Sequence, residues 1–330
     1  YIIKSFYVWE LKNTKLEFKK TMNPHLNYAL EFFARTLNTL KNIKSEFIHG
    51  KEIKWEVELG KEIQWKMLTK KLIEVPGLDV IVKSRPAWEI GWDSYDIIKE
   101  WENYYIYVWD ATGHWVWAWF IMIMVNALIS WFTKVFTNWA NILAKTNEIL
   151  KPRVKANLLM SLLLVRWDVK EKRIFMTWAW HEYLMIYKHK QQKTFKIKSG
   201  WVALWMIKDI SKLLKEKEIK FEENDIIILY SDWITEAINK QSKDGTEEMF
   251  LEERLMETIN KSPEVHDKNY KSARSVFNNI TIELSKFMWY KHAQLDDVTL
   301  AVIHYKWKDF DKTKDFPEKI KEEYITEWNW

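Results

Sequence analysis

Four short acidic motifs stand at the edges of apolar runs. They are Glu89-Ile-Gly-Trp-Asp93 with Tyr95-Asp96, Val108-Trp-Asp110-Ala-Thr-Gly113, Tyr230-Ser-Asp232-Trp-Ile-Thr-Glu236 and Gln294-Leu-Asp296-Asp297-Val-Thr299. Hard divalent cations such as Mg²⁺ and Mn²⁺ take oxygen ligands, usually one or two carboxylates per ion plus retained waters. Carboxylates at several strand ends can therefore converge on a pair of metals. Aspartate also ends strands simply because it favours turns, and any one motif alone reads that way. Four together, one of them directly after Ile-Ile-Ile-Leu-Tyr and another after Tyr-Ile-Tyr-Val-Trp, point to a shared acidic site. The chain has no cysteine, so it offers no thiol nucleophile, thiolate metal site or disulfide. That composition fits a reducing compartment, and the expected location is cytoplasmic.

The elements that must position these carboxylates are readable as alternating patterns. A chain of 330 residues can bury a full core in one sizeable domain plus an appendage, or in two small domains. Its hydrophobic share of 48% excludes disorder, and its net charge of +5 is spread through lysines, so a solvated basic surface is expected and no nucleic-acid partner. It starts at Tyr1 with no signal pattern, which reads as a fragment lacking an upstream sensor or anchor. Helical spacing marks 23–47, opened by Asn23-Pro24, and 52–72. Val75-Pro76-Gly77 then forms the clearest boundary. Strand-length apolar runs follow at 78–82, 104–108, 161–165, 173–177, 183–187, 194–197, 225–230 and 297–304. Helical patterns lie between them at 116–133, 138–150, 247–259 and 269–287. Strands joined by both hairpins and helices give an α+β domain with antiparallel sheets. The expected organisation is an N-terminal helical region at 1–74, the α+β domain at 75–307 and a charged tail at 308–330.

Residues 115–133 contain no charge, which is the length of a membrane span. A solitary span beside a polar turn would cut a strand-rich domain in half, so a buried helix is the expectation and no span.

In their order along the chain the motifs resemble the metal-dependent PPM-type serine/threonine phosphatases, and within them the SpoIIE/RsbU branch. The residues that carry this are Pro86-Ala, Glu89-Ile-Gly-Trp-Asp93, Asp110-Ala-Thr-Gly-His-Trp115, Trp178-Ala-Trp-His181, Ser231-Asp232-Trp-Ile-Thr-Glu-Ala237 and Leu295-Asp-Asp-Val-Thr-Leu300. Leu59-Gly-Lys-Glu-Ile-Gln64 with Val75-Pro-Gly-Leu78 is similar to that branch's leading helix and linker. The resemblance implies an αββα sandwich with two divalent cations, Mn²⁺ or Mg²⁺, at one edge of its sheets. It implies that Asp110 bridges both cations beside the backbone carbonyl of Ala111, with Asp93, Asp232 and Asp296 completing the set. Asp297 supports Asp296 in this reading, or the two adjacent residues exchange roles; Gly113 and His114 are supporting, His114 as a structural residue or a general acid; His181 is structural, and Glu236 and Thr299 brace neighbouring loops. The implied reaction is hydrolysis of phosphoserine or phosphothreonine by a metal-activated water, catalysis resting on Asp110 and Asp232. The implied partner is a phosphorylated regulator of the anti-anti-sigma type, with the N-terminal helices pairing either in a homodimer or within one chain. The alternative is a catalytically silent phosphatase-fold binding module.

One departure runs through the whole pattern. The chain holds 22 tryptophans and 7 glycines, against an ordinary glycine usage of about 7%. Tryptophan stands where the family carries glycine at Trp92, Trp109, Trp115, Trp180, Trp205 and Trp233. Tight turns beside a metal need positive φ or close backbone approach, which an indole does not favour. The expectation is a gene in which UGA means glycine, read with a table in which it means tryptophan.

Overall fold

The computed structural model describes residues 73–87, 91–111, 116–154, 159–179, 183–198, 202–239, 248–265, 270–288, 294 and 296–306, with 116–119 as backbone only. The chain divides into compact units Tyr1–Ile63 and Gln64–Trp330, and all described residues belong to the second. The helical expectations at 23–47 and 52–72, their pairing, and the tail at 308–330 lie outside the described residues.

Two five-stranded antiparallel sheets form the centre. The first contains β1 (Leu78–Arg85), β12 (Val298–Tyr305), β9 (Ile226–Tyr230), β6 (Tyr183–Lys188) and β7 (Lys193–Lys198), in that order. The second contains β2 (Ser94–Glu100), β3 (Asn103–Ala111), β4 (Met160–Asp168), β5 (Arg173–Ala179) and β8 (Lys217–Ile219). Their inner faces share one apolar core: Leu78, Val82, Ile227, Leu229, Ala301 and Ile303 from the first sheet meet Ile106, Val108, Leu163, Val165 and Met176 from the second. Strand β9 reads Ile-Ile-Ile-Leu-Tyr without alternation because it is covered on both faces. Its outer side chains Ile226, Ile228 and Tyr230 join a second core with α4 (Leu251–Lys261) and α5 (Ala273–Phe287).

The outer face of the other sheet carries α1 (Val116–Phe132) and α2 (Trp139–Leu150), and the single turn α3 (Trp233–Glu236) follows β9. Trp139 meets the rings of Tyr105 and Tyr107 edge-on at 5.2 and 5.7 Å, and each such pair adds about 0.5–1.5 kcal/mol beyond burial. Tyr107 Oη donates to Asn126 Oδ1 at 2.7 Å, which satisfies a polar group under the apolar helix. Helix α2 starts where the Asn138 side chain accepts from Ala140 N–H at 2.8 Å, a side-chain cap for an otherwise unpaired donor. The result is the helix, sheet, sheet, helix order of an αββα sandwich. Among the described residues no helix is long and apolar enough to cross a membrane.

Differences from the sequence reading have local causes. Helix α4 starts at Leu251 rather than 247 because β10 (Ile238–Asn239) and β11 (Glu248–Met249) pair as a ribbon first. A reciprocal cap between Ser272 and Ser275 delays α5 to Ala273. Strand β2, Ser-Tyr-Asp-Ile-Ile-Lys-Glu, was not expected. Its pattern is half charged, and its pairing with the apolar β3 supplies what its own sequence lacks. Strand β8 has three residues at a sheet edge and no periodicity to read.

Candidate functional site

The acidic motifs meet because their strand ends meet. In the register of the sheets, Ser94 opposes Trp109, which sets Asp93 beside the end of β3, where Asp110 lies. Leu300 opposes Tyr230, which sets Asp296 and Asp297 beside Asp232. Ser231 and Thr299 lock this second junction. Ser231 N–H donates to Thr299 O and Thr299 N–H to Ser231 Oγ, both at 2.9 Å, and the Ser231 hydroxyl donates to Asp297 O at 3.3 Å. The Thr299 hydroxyl reaches Ser84 Oγ at 2.8 Å and so ties in β1.

Asp297 faces inward as a clasp. Its Oδ1 accepts from Ala87 N–H at 2.7 Å, and its Oδ2 accepts from Asp93 N–H at 2.9 Å and from Trp92 N–H. One buried carboxylate therefore folds the segment that presents Asp93. Asp296 turns the other way, its Oδ1 accepting from Asp297 N–H at 2.8 Å. Gln294 Nε2 pins this turn to β1 by donating to Arg85 O at 2.9 Å and to Asp296 O at 2.7 Å. Ser231 and Gln294 were not singled out in the sequence. The signal for Ser231 was a small hydroxyl closing an all-apolar strand, and Gln294 had none.

The electrostatics record how close the carboxyls are. Asp93, 3% exposed, has its pKa raised well above the ordinary range by burial, then by the charges of Asp110 and Asp297, with the hydroxyls of Ser231 and Thr299 opposing. Asp110 is raised well above that range by burial, then by Asp232 and Asp296, against a hydrogen bond from Asp93. Asp232 is open to solvent by area, yet the surrounding walls exclude enough water that desolvation, helped by the charges of Glu236 and Asp296, lifts it to about 6. Burial also raises Asp297, against its three backbone donors. These groups perturb one another as carboxylates do when they share a site.

This donor set suits a hard cation. It consists of oxygen atoms, and the buried Asp93 Oδ2 has no hydrogen-bond partner. Among the described residues no three acidic or imidazole side chains converge on one coordination point. Ala111 ends β3 opposite Met160 and is buried next to Asp110. Gly113, His114 and His181 lie outside the described residues, as do Trp115 and Trp180. Trp109 and Trp233 adjoin Asp110 and Asp232 in the chain, but Trp109 shares the outer face of β3 with Tyr107 and Trp233 joins the core under α4 and α5; both indole N–H groups are buried and lack a hydrogen-bond partner.

The sequence model of the family described as Stage II sporulation protein E (SpoIIE) matches residues 101–306, more than half of the chain. Phosphoserine phosphatase RsbU of Bacillus subtilis (strain 168) is 23% identical over 240 residues, covering 73% of this chain and 67% of that protein. The SiaA-PP2C domain of Pseudomonas aeruginosa superposes with a TM-score of 0.62 at 17% identity, over 77% of this chain and 96% of that one. The structure of RsbX in complex with magnesium gives 0.52 at 11% identity, over 71% and 98%. At these identities the two structures speak to the fold alone, and the fold agrees. Sequence match and architecture together place the chain in the SpoIIE family, as a SpoIIE/RsbU-like PPM-type phosphatase.

Proposed function

We propose that the chain hydrolyses phosphoserine or phosphothreonine on a protein with the help of two divalent cations, Mn²⁺ or Mg²⁺. The observation that carries this is the gathering of Asp93, Asp110, Asp232, Asp296 and Asp297, from segments distant in sequence, within electrostatic reach of one another at one edge of the sandwich. RsbU is named a phosphoserine phosphatase and RsbX was solved with magnesium, which supports the same reading. Asp110, Asp93, Asp232 and Asp296, with the carbonyl of Ala111, would hold the cations. Bound there, the two cations acidify water near neutral pH and neutralise the phosphoryl oxygens.

The chain's own groups set the stage for that chemistry. The carboxyl pKa values are raised first by burial and then by one another's charges, and that second contribution is the negative potential that favours a cation there. Asp297 spends its lone pairs on Ala87, Trp92 and Asp93 backbone N–H groups and so positions Asp93 without itself facing the ions. Ser231 and Thr299 keep Asp232 and Asp296 in register. With no cysteine in the chain, no phosphocysteine intermediate can form on it. The substrate in this reading is a small phosphorylated regulator of the anti-anti-sigma type, met in the cytoplasm.

The test is release of phosphate from a phosphoserine peptide with and without Mn²⁺, together with Mn²⁺ binding by calorimetry. Manganese-dependent turnover that Asp110→Asn or Asp232→Asn abolishes is expected. A folded chain that binds Mn²⁺ but turns over no phosphopeptide with any divalent cation is instead a silent binding module.

A further inference from the structure

Two tryptophans occupy backbone conformations that suit glycine. Trp101 is the first residue of the two-residue loop between β2 and β3, flanked by the paired Glu100 and Asn103, and has φ +57°. Positive φ at the first central position of such a hairpin is where glycine is favoured, because Cβ crowds the backbone there. The indole that follows stands 81% exposed at the hairpin tip. Trp205 has φ +65°. Its backbone is gripped from both sides by α2: its N–H donates to Asn147 Oδ1 at 2.7 Å, and its carbonyl accepts from Lys151 Nζ. Asn147 Nδ2 also donates to Ile207 O at 3.1 Å and Lys208 O at 3.0 Å, so the turn lies against the helix. The Trp205 indole is 1% exposed and its N–H has no hydrogen-bond partner.

Positive φ also occurs at Lys172, Gln192, Asn224 and Leu251, so the angle alone does not single out tryptophan. Trp101 adds an indole that stands in water at a hairpin tip, and Trp205 adds one whose burial leaves its N–H donor orphaned beside a backbone that glycine would adopt freely. Trp131 and Trp139 share the orphaned N–H but sit in helices with ordinary backbone, and the orphan alone does not assign them. Trp167 is the opposite case. Its Nε1 donates to Pro76 O at 2.9 Å, its ring meets Tyr305 at 5.3 Å, and its backbone is regular strand.

We infer that the working protein carries glycine at positions 101 and 205, encoded by UGA read as glycine, while position 167 is a true tryptophan encoded by UGG. This inference stands on backbone geometry and does not depend on the phosphatase reading.

Reading the gene at codons 101, 167 and 205 tests it. UGA at 101 and 205 with UGG at 167 is the expected result; UGG at either 101 or 205 overturns it. Peptide masses from the protein made in its own cells should show glycine at both positions, and tryptophan at either one also overturns the inference. The conformational argument has its own readout in the recombinant chain. Trp101→Gly raises the melting temperature by about 2–4 °C and Trp101→Ala does not, since only glycine relieves the positive φ; equal behaviour of the two variants overturns that argument.

Discussion

Strand β9 carries an aspartate at each end, and the fold treats the two in opposite ways. Asp225, ahead of the strand and 1% exposed, is satisfied. Its Oδ2 pairs with Lys188 Nζ and accepts from Glu222 N–H at 2.9 Å, and its Oδ1 accepts from His189 N–H at 2.9 Å. Asp232, just past the other end, faces Asp110, Asp296 and Glu236. One end of the sandwich spends its buried charge on stability, while the other accumulates like charge that only a cation would relieve. A buried ion pair holds well if its partners and donors are complete; a cluster of like charges costs stability and is kept where binding requires it.

Removing a carboxylate should therefore have contrary effects at the two ends. The largest effect is expected from Asp110→Asn: with Mn²⁺ present, phosphopeptide turnover falls more than about 10²-fold, beyond what loss of an outer supporting contact costs. In chelator the same variant is as stable as the parent or more so, since one repelling charge has gone. Asp225→Asn breaks the comparison from the other side. It leaves Lys188 without its buried partner, and urea unfolding should show a loss of about 3–5 kcal/mol, with Mn²⁺ affinity unchanged.

Acid and base limbs of stability sharpen the contrast. A carboxyl with a raised folded pKa contributes stability that is whole below its unfolded value of about 3.9 and is lost as pH rises through the folded value, about 6 for Asp232. Chelated protein should lose stability as pH climbs through that range, and Mn²⁺ should reverse the loss. At the far end His304 runs the other way. It is buried against Asn224 and stacked on Tyr270, and burial lowers its pKa to about 3. Its contribution is whole above its unfolded value near 6.5 and lost as pH falls toward 3, by up to about 1.4 kcal/mol per pH unit. His304→Gln should flatten that acid limb in pH-dependent unfolding and leave the limb from the carboxylates unchanged. The smallest effect is expected from Ser231→Ala. It removes the acceptor for Thr299 N–H, costs about 1–2 kcal/mol, and lowers turnover about tenfold.

The continuous apolar runs were legible because they are buried on both faces, as β9 and β12 show. The aspartates that follow them stood out only as a set, because a single aspartate also ends a strand for its turn preference. The half-charged β2 was not legible, since it is a strand only by virtue of its neighbour β3. Nor was the clasp made by Asp297, whose acceptors' partners lie more than two hundred residues upstream and leave no local pattern. Trp167 shows the limit from another direction. Sequence alone could not tell it from its suspect neighbours; its hydrogen bond to Pro76 O and ring contact with Tyr305 set it apart from them.

That clasp also fixes an order of events. The bonds from Asp297 to Ala87, Trp92 and Asp93 span 210, 205 and 204 residues, among the most expensive loops a chain of this size can close. Hairpins such as β2 with β3 can form while the ribosome is still at work. The acidic edge cannot be completed then, because the backbone donors of Ala87, Trp92 and Asp93 wait for the Asp297 carboxylate to emerge before their segment is fastened to the other sheet.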